Sequence, residues 1–129
     1  MTDVHEVSLL LRASVESARA ARRAVDALPF DKHDEALFNL RLLITELVGN
    51  SIRHAGLTPA DTIIFELQHS STLVRVQITD HGPGFIRPII DEPPSGTSGR
   101  GLFLVDALAD RWGTERNDTQ ASVWFEIDL

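Results

Sequence analysis

Two polar side chains in the middle of the chain are spaced to share one face of a helix. Glu46 and Asn50 stand four residues apart and His54 extends the row, which corresponds to steps of one helical turn. An amide oxygen near a carboxylate suits Mg²⁺, which takes few protein ligands and keeps several waters. The carboxylate could instead accept a proton in phosphoryl transfer. A solvated polar stripe on an amphipathic helix is the commoner explanation of such a pair taken alone.

Asp80 is a carboxylate at an apolar position of a predicted strand. Val74, Val76 and Ile78 alternate with polar residues, and strict alternation places Asp80 on the apolar side. A carboxylate turned toward a core needs a hydrogen-bond donor. The exocyclic amine of a purine would supply one. The alternative is a side chain that caps the turn after the strand.

Two pairs of glycines follow this carboxylate. Gly82 and Gly84 permit a left-handed turn and a close approach of backbone to ligand. Gly99 and Gly101 precede a predicted helix, whose first amides would be free to face an anion. Neither pair extends to Gly-x-Gly-x-x-Gly, so the Rossmann fingerprint is absent.

The elements that must position these residues are predicted from periodicity. Strands are predicted at Val4 to Arg12, Thr62 to Gln68, Leu73 to Asp80, Trp112 to Glu115 and Ala121 to Asp128, and helices from Ser14 to Pro29, Asp34 to Ala55 and Gly101 to Ala109. Ser14 is expected to cap the first helix. The proline-rich stretch from Phe85 to Ser98 predicts a mobile loop. This order predicts an α+β sandwich with a largely antiparallel sheet.

The composition predicts one soluble domain over residues 1–129. Of these residues 43% are apolar and none is cysteine, which leaves no disulfide scaffold and no thiolate metal site. No apolar run is long enough to span a membrane, and the start lacks the layout of a secretory signal. A cytoplasmic protein fits best. The tryptophans and phenylalanines are expected to be core or strand residues.

The charge balance limits the ligands. A net charge of −7 argues against nonspecific nucleic-acid binding, which needs a basic surface. Lys32 is the one lysine and lies outside any Walker-type loop. A phosphate would therefore have to be held by backbone amides, helix ends, arginine or a metal.

Taken together, three segments resemble the sequence boxes of the GHKL superfamily, whose ATP-binding domain has the Bergerat fold. Ile44 to Ala55 is similar to the N box, Ile78 to Phe85 to the first glycine box, and Gly99 to Asp106 to the second. More narrowly, nearly the whole chain resembles the bacterial anti-sigma factor serine kinases. The resemblance implies a sandwich of three helices on a mixed, largely antiparallel sheet.

The resemblance also implies a role for each matching residue. Glu46 would be the general base, Asn50 would hold Mg²⁺ and Asp80 would receive the adenine amine. Relatives usually carry glycine and threonine just before the last strand, where this chain has no glycine; Ser122 is expected to stand in for the threonine. The glycines that would shape the adenine pocket are Gly82 and Gly84, and the residues that would meet the phosphates are Gly99, Arg100, Gly101 and Leu102.

Two functions follow from this resemblance. The first is an ATP- and Mg²⁺-dependent protein serine/threonine kinase that phosphorylates an anti-anti-sigma (STAS-domain) partner and also sequesters a sigma factor. The second is a regulatory module that holds a partner without transferring phosphate. Histidine kinases need an upstream helical pair, for which the roughly 45 residues before the N box leave no room. The resemblance also implies a possible homodimer; the first strand, Val4 to Arg12, is an edge that could pair across a two-fold axis.

Overall fold

The computed structural model describes residues 4–14, 16–28, 34–54, 61–80 and 100–129. Within these ranges lie five strands and three helices. In chain order they are β1 His5–Arg12, α1 Ser17–Asp26, α2 Asp34–His54, β2 Thr62–His69, β3 Leu73–Asp80, α3 Arg100–Leu108, β4 Arg111–Arg116 and β5 Ala121–Asp128. The predicted elements are therefore confirmed, with ends that shift by a few residues at most. The prediction for Phe85 to Ser98 lies outside the described residues.

The strands form a single sheet in the order β1-β2-β3-β5-β4. Every neighbouring pair in it is antiparallel. The predicted α+β class is thus confirmed, and the described strands contain no parallel pair that would make the sheet mixed. The first strand is an edge, as predicted, and β4 is the other edge.

The core lies between one face of the sheet and the three helices. Alternate residues of β2, β3 and β5 are buried and join the apolar faces of the helices in one cluster. This is the two-layer solution that lets each element bury its apolar side. The sheet contributes Ile63, Phe65, Leu67, Val74, Val76, Ile78, Phe125 and Ile127, and the helices contribute Ala21, Val25, Leu40, Leu43, Ile44, Leu47, Val48, Leu102 and Val105.

The opposite face of the sheet carries mostly polar side chains. None of the described helices covers this face, which is called the helix-free face below. In the register of the strands it bears Ser8, Glu66, Gln77, Trp124 and Gly113 in a row across all five strands. Antiparallel sheets often leave one face to solvent, and polar alternation is the pattern that accompanies it. The helix-free face is therefore mostly polar, whereas the helix-covered face is mostly apolar.

The first helix begins later than predicted. Ser14 does not cap it, because the N-cap residue is Glu16, whose side chain makes no capping bond. The Arg12 carbonyl accepts a bond of 2.8 Å from the Ser14 N–H and another from the Ser17 hydroxyl. Ser14 therefore belongs to a tight turn, and the helical backbone starts only at Ser17. The Ser14 prediction was therefore wrong.

Two of the phenylalanines are also placed differently from the prediction. Phe65 and Phe125 are fully buried, but Phe38 on α2 is 68% exposed and Phe103 on α3 is 44% exposed. Both lie on helix surfaces away from the sheet. The expectation that the aromatic residues belong to the core or the strands is wrong for these two.

Candidate functional site

Glu46 and Asn50, which the spacing predicts on one face of a helix, lie on α2 at the border of its buried face. Asn50 is 8% exposed and Glu46, one turn earlier, is half-buried. On its other side, α2 meets α1 through a 2.8 Å bond from Arg22 Nη1 to Thr45 Oγ1. At 3.6 residues per turn, Asn50 points roughly 140° around the helix axis from Thr45. Glu46 and Asn50 therefore lie on a different side of α2 from the Arg22–Thr45 contact with α1.

The Asp80 carboxylate is on the helix-covered face, as alternation predicts. It is the last residue of β3 and is 2% exposed. Its neighbours across the ladder are Ile63 on β2 and Ala121 on β5, and directly opposed residues share a face. A nearly completely buried carboxylate beside two apolar residues is costly unless it makes polar contacts. Asp80 has such contacts within the chain. A carboxylate can accept several hydrogen bonds, so an amine or amide donor is a chemically suitable ligand group for it.

Asn50 and Asp80 lie on the two layers that enclose the core, the helices and the sheet. The α2 helix packs against β3 and β5 of the sheet and against both other helices. Asn50 and Asp80 are both buried, one on the helix layer and one on the sheet. The arrangement provides an acceptor carboxylate and an amide in a largely apolar layer, which is the usual composition of a small-molecule site.

The third helix begins within the segment that resembles the second glycine box. α3 begins at Arg100 and Gly101, and its packing against α2 is anchored by the buried side chains of Leu102 and Val105. The first amides of a helix have no partner within the helix and attract anions. The predictions for Gly82, Gly84 and Gly99 concern positions outside the described residues.

The predicted substitute for threonine is not brought together with Asp80. Ser122 pairs with Thr79, whereas Ala121 pairs with Asp80. Because directly opposed residues share a face, Ser122 lies with Thr79 on the helix-free face. The side chain beside Asp80 on β5 is therefore the methyl group of Ala121, and Ser122 can approach a ligand there only through its backbone.

One buried polar residue was not singled out from the sequence. Ser51 follows Asn50 on α2 and is buried. It continues the row of Leu40, Ile44 and Leu47, which are also buried, at spacings of three and four residues. Extending the apolar stripe beyond Leu47 would have found this hydroxyl, because the stripe predicts burial whatever the residue type.

Metal binding has limited support in the described residues. They contain no group of three or more His, Asp or Glu side chains that could hold a metal ion. Asn50 alone fits Mg²⁺, which is often held by one or two protein ligands together with substrate phosphates and water. The donor set therefore suits a cation that arrives with a nucleotide rather than a cation held by the protein alone.

Charged groups at the far end of the sheet form a network away from this site. Arg111 of β4 bonds to Glu126 at 2.6 Å and also to Asp128, and Arg75 bonds to Glu126 at 3.0 Å. The hydrogen bonds from Arg111 hold the pKa values of Glu126 and Asp128 below their usual range. In return, Asp128 and then Glu126 raise the pKa of Arg111. These side chains join β3, β5 and β4 on the helix-free face.

Comparison with known proteins agrees with this arrangement. The family model described as a histidine kinase-like ATPase domain matches residues 11–127. Over 83 residues the chain is 39% identical to an uncharacterised protein of Streptomyces coelicolor, a match that covers 62% of this chain and 76% of that one.

A solved structure shares the fold. The structure of the RsbU and RsbW domains of Rv1364c from Mycobacterium tuberculosis matches with a TM-score of 0.67 at 16% identity. The match covers 95% of this chain but 32% of that chain, so this chain spans about a third of the other protein. A likeness at this identity shows the fold.

The family match over residues 11–127 defines an ATPase domain of the GHKL type. The chain belongs to the histidine kinase-like ATPase family, as the three sequence boxes predicted. ATP is accordingly the ligand that the family implies. None of the helices that the structure describes is both long enough and apolar enough to cross a membrane.

Proposed function

We propose that this protein is an ATP-binding anti-sigma factor with protein serine/threonine kinase activity. The observation that carries the proposal is the burial of Asp80 at the end of β3, on the face that α2 and α3 cover. Family membership implies ATP, and the fold it shares with a structure containing an RsbW domain supports the narrower class. The proposed partners are an anti-anti-sigma STAS-domain protein and a sigma factor, and the proposed location is the cytoplasm.

Each residue of the site has a chemical task in this proposal. The carboxylate of Asp80 accepts a hydrogen bond from the adenine amine. The backbone amides of Gly99, Arg100, Gly101 and Leu102 bind the phosphates, and Gly82 and Gly84 shape the adenine pocket. Asn50 holds Mg²⁺, which supplies positive charge against the β- and γ-phosphates when it is bound.

Glu46 is the proposed general base. Its side chain is half-buried and lies one helical turn from Asn50, the residue proposed to hold the cation. There it accepts the proton of the partner's serine or threonine hydroxyl as that oxygen attacks the γ-phosphate. General-base catalysis of this kind typically contributes 10²–10⁴-fold to rate, so a Glu46→Gln variant should lose about that factor.

The test is phosphate transfer to a STAS-domain protein. The purified protein is incubated with Mg²⁺ and labelled ATP and with candidate STAS proteins, and phosphoserine or phosphothreonine is measured by mass spectrometry. Transfer that Glu46→Gln reduces at least a hundredfold, with ATP affinity unchanged, is expected. Absence of transfer to every candidate, with ATP bound normally, would contradict the kinase and leave the ATP site intact. Glu66→Gln, on the helix-free face, is the matched control.

The position of Ala121 favours a second candidate, a partner-binding module with weak or no dependence on nucleotide. The residue beside Asp80 on β5 has no polar side chain, so fewer hydrogen bonds are available to a base. A partner titrated with and without Mg-ATP separates the two candidates, because a ligand shifts a binding equilibrium only by its differential affinity. Equal affinities in both conditions, together with no phosphate transfer, would support the module.

A further inference from the structure

A cavity of about 350 Å³ lies on the helix-free face, beside the turn that joins β4 to β5. Its floor is one row of directly opposed residues on four neighbouring strands, Ile64, Thr79, Ser122 and Glu115. Directly opposed residues share a face of a sheet, so these side chains lie on the same side of it. Asp80 is on the helix-covered face, and the cavity is therefore separate from the proposed nucleotide site.

Thr79 is the unusual member of this floor. Its side chain belongs to the face that no described helix covers, yet the residue is only 6% exposed. Within the part of the chain that the structure describes, the Thr79 hydroxyl makes no hydrogen bond. A buried hydroxyl without a hydrogen-bond partner costs free energy. Because Thr79 lines the cavity, a ligand in the cavity can supply this partner.

A second hydroxyl, that of Ser122, lies beside Thr79. The Leu129 N–H donates a 2.9 Å bond to the Thr72 carbonyl, and such backbone bonds recur at every second pair of an antiparallel ladder. In the register of β3 and β5, Thr79 and Ser122 are therefore a non-hydrogen-bonded pair, with Cα atoms about 4.5 Å apart. The two hydroxyls do not bond to each other, so both remain for a ligand.

Two carboxylates border the same cavity. Glu66 of β2 and Glu115 of β4 both line it, and neither forms an ion pair in the described part of the chain. Arg116 also lines the cavity, so its lining carries two negative charges against one positive charge. Carboxylates only accept hydrogen bonds. The cavity therefore favours a cation that brings several donors.

Elsewhere on this face the sheet already holds guanidinium groups. Arg75 bonds to Glu126 at 3.0 Å and stacks on Trp124 at 4.3 Å from the ring centre. Arg111 bonds to Glu126 and to Asp128. In that half of the face, arginines of the chain itself neutralise the carboxylates, whereas the carboxylates of the cavity have no such ion pair in the described part of the chain.

An arginine side chain matches the cavity in donors, charge and shape. Its guanidinium group offers several N–H donors in one plane and no acceptor, and it is more weakly hydrated than an ammonium group. Its methylene stem can lie on the half-buried Ile64. The volume is at the lower end of the range of small-molecule sites, about 300–1,000 Å³, which suits one side chain. Arginine is also enriched among the residues that anchor protein interfaces in pockets.

We propose that this cavity binds an arginine side chain of a partner protein that docks on the helix-free face. The guanidinium group donates to the Glu115 carboxylate and to the hydroxyls of Thr79 and Ser122. Glu66 adds attraction from the other side of the cavity. Since Asp80 lies on the opposite face of the sheet, the proposal depends neither on ATP binding nor on phosphate transfer.

Titration with a blocked arginine tests the requirement for charge. Isotopically labelled protein is titrated with N-acetyl-arginine N-methylamide, and the backbone amide signals are followed by NMR. Saturable shifts are expected at Ile64, Thr79, Ser122 and Glu115. The citrulline analogue has the same shape without the charge, and it should bind roughly tenfold more weakly or not at all. Equal binding of the two compounds, or no saturable shift at these residues up to the solubility limit, would overturn the proposal.

Single variants test the assigned contacts. Glu115→Gln, exposed on the edge strand β4, should weaken the binding of blocked arginine roughly fivefold, the upper end for an exposed ion pair. Thr79→Val keeps the branched shape and removes the hydroxyl, which should weaken binding roughly two- to tenfold. Glu35→Gln removes an exposed carboxylate from α2 and is the matched control. The proposal fails if the control loses as much affinity as Glu115→Gln, or if neither cavity variant loses any.

Free arginine distinguishes a docking site from a site for the amino acid itself. The free amino acid carries an α-carboxylate that could pair with Arg116, a contact that the blocked compound does not offer. If the cavity receives a side chain of a protein, the free and blocked compounds should have similar dissociation constants. Free arginine that binds more than roughly tenfold more tightly than the blocked compound would contradict docking and indicate a small-molecule site.

Discussion

The Asp80 carboxylate is the residue on which ligand specificity depends in the proposed site. Its neighbours across the ladder, Ile63 and Ala121, are apolar, so neither can take its place as an acceptor. A hydrogen bond to a charged group is typically stronger than one between neutral groups, and a buried partner left without it costs more than the bond gains. The effect of changing this one residue should therefore be large and specific to the base.

The first prediction concerns Asp80→Asn. The asparagine amide has nearly the size of the carboxylate, but an NH₂ donor replaces one of the two acceptor oxygens. This donor would face the adenine amine, which is also a donor. The loss should be about 1.5–3 kcal/mol, or roughly ten- to a hundredfold in the dissociation constant for ATP. Isothermal titration calorimetry with Mg-ATP measures it, with Asp110→Asn as a control outside the site. An unchanged constant would show that Asp80 does not contact the base.

The second prediction concerns pH and the Arg111 network. Hydrogen bonds from Arg111 lower the pKa values of Glu126 and Asp128 in the folded state. A carboxyl whose folded pKa is depressed contributes stability above its unfolded pKa, about 4, and loses that contribution as the pH falls through the folded value. Arg111→Gln should therefore lower the melting temperature slightly at pH 7, and the difference should shrink as the pH falls below about 4.

Thermal unfolding followed by circular dichroism between pH 7 and pH 3 measures this difference. Because the Arg111 and Asp128 side chains are about half exposed, solvent screening keeps the effect small, and added salt should reduce it further. Arg116→Gln, on the same strand, removes a charge of the same sign as a control. A difference that grows as the pH falls would contradict the assigned sign.

Among the elements, the β4–β5 hairpin is held by side chains as well as by its ladder. The Trp124 indole on β5 lies over Gly113 of β4, and the Arg75 guanidinium stacks on the indole at 4.3 Å from its centre. At the turn, the Asn117 side chain accepts bonds of 2.9 Å from the N–H groups of Thr119 and Gln120. A glycine is required at position 113 because a Cβ there would come within 2.8 Å of the indole.

The third prediction concerns Gly113→Ala. The added methyl group must displace the Trp124 indole and separate it from Arg75, which should cost about 1–3 kcal/mol as other overpacking changes do. Urea unfolding followed by tryptophan fluorescence measures the change. In a Trp124→Ala background the methyl group has room, so the same substitution should cost much less. Equal costs in both backgrounds would refute the contact.

Most of these elements could be predicted because their signals are local. The alternation in Leu73 to Asp80 and the 3.6-residue spacing of Leu40, Ile44 and Leu47 each report burial on one face. The Ser14 prediction failed because the position of a helix cap depends on the turn that precedes the helix. In that turn the Ser14 N–H bonds to the Arg12 carbonyl, and the helix begins only at Ser17. The prediction for Phe38 failed because an aromatic side chain is not necessarily buried.

From the sequence, the candidate site could be proposed as a set of residues, but the sequence did not indicate which of these residues are neighbours. The burial of Asp80 follows from alternation within one strand. That Ala121 rather than Ser122 lies beside it depends on the register of β5 against β3, and these strands are separated in the chain by α3 and β4. Register across such a distance is set by the packed core, which a local pattern does not reveal.

At the scale of the whole molecule, ligand binding and folding are coupled. The proposed nucleotide contacts come from α2, α3 and β3, which share one core. A ligand that binds only the folded state stabilises it by about 2.7 kcal/mol when its concentration is a hundred times the dissociation constant. For a domain of this size that corresponds to roughly 10 °C in melting temperature.

The fourth prediction is therefore that saturating Mg-ATP raises the melting temperature by roughly 10 °C. Differential scanning fluorimetry measures this rise. Asp80→Asn should show a much smaller rise at the same nucleotide concentration. Mg-GTP serves as a control for phosphate binding alone, because the proposed base contact requires the adenine amine. Equal rises with both nucleotides would indicate a site that binds phosphate without selecting the base.

The strand order also has a consequence for synthesis on the ribosome. β5 is the last of the described strands in sequence but lies inside the sheet, between β3 and β4. Until it has left the exit tunnel, β3 presents an open edge and β4 has no strand to join. A nascent chain that has already produced both glycine boxes is consequently still incomplete, and such open edges favour aggregation. Chaperone demand during translation should therefore be concentrated in the interval before the final strand emerges.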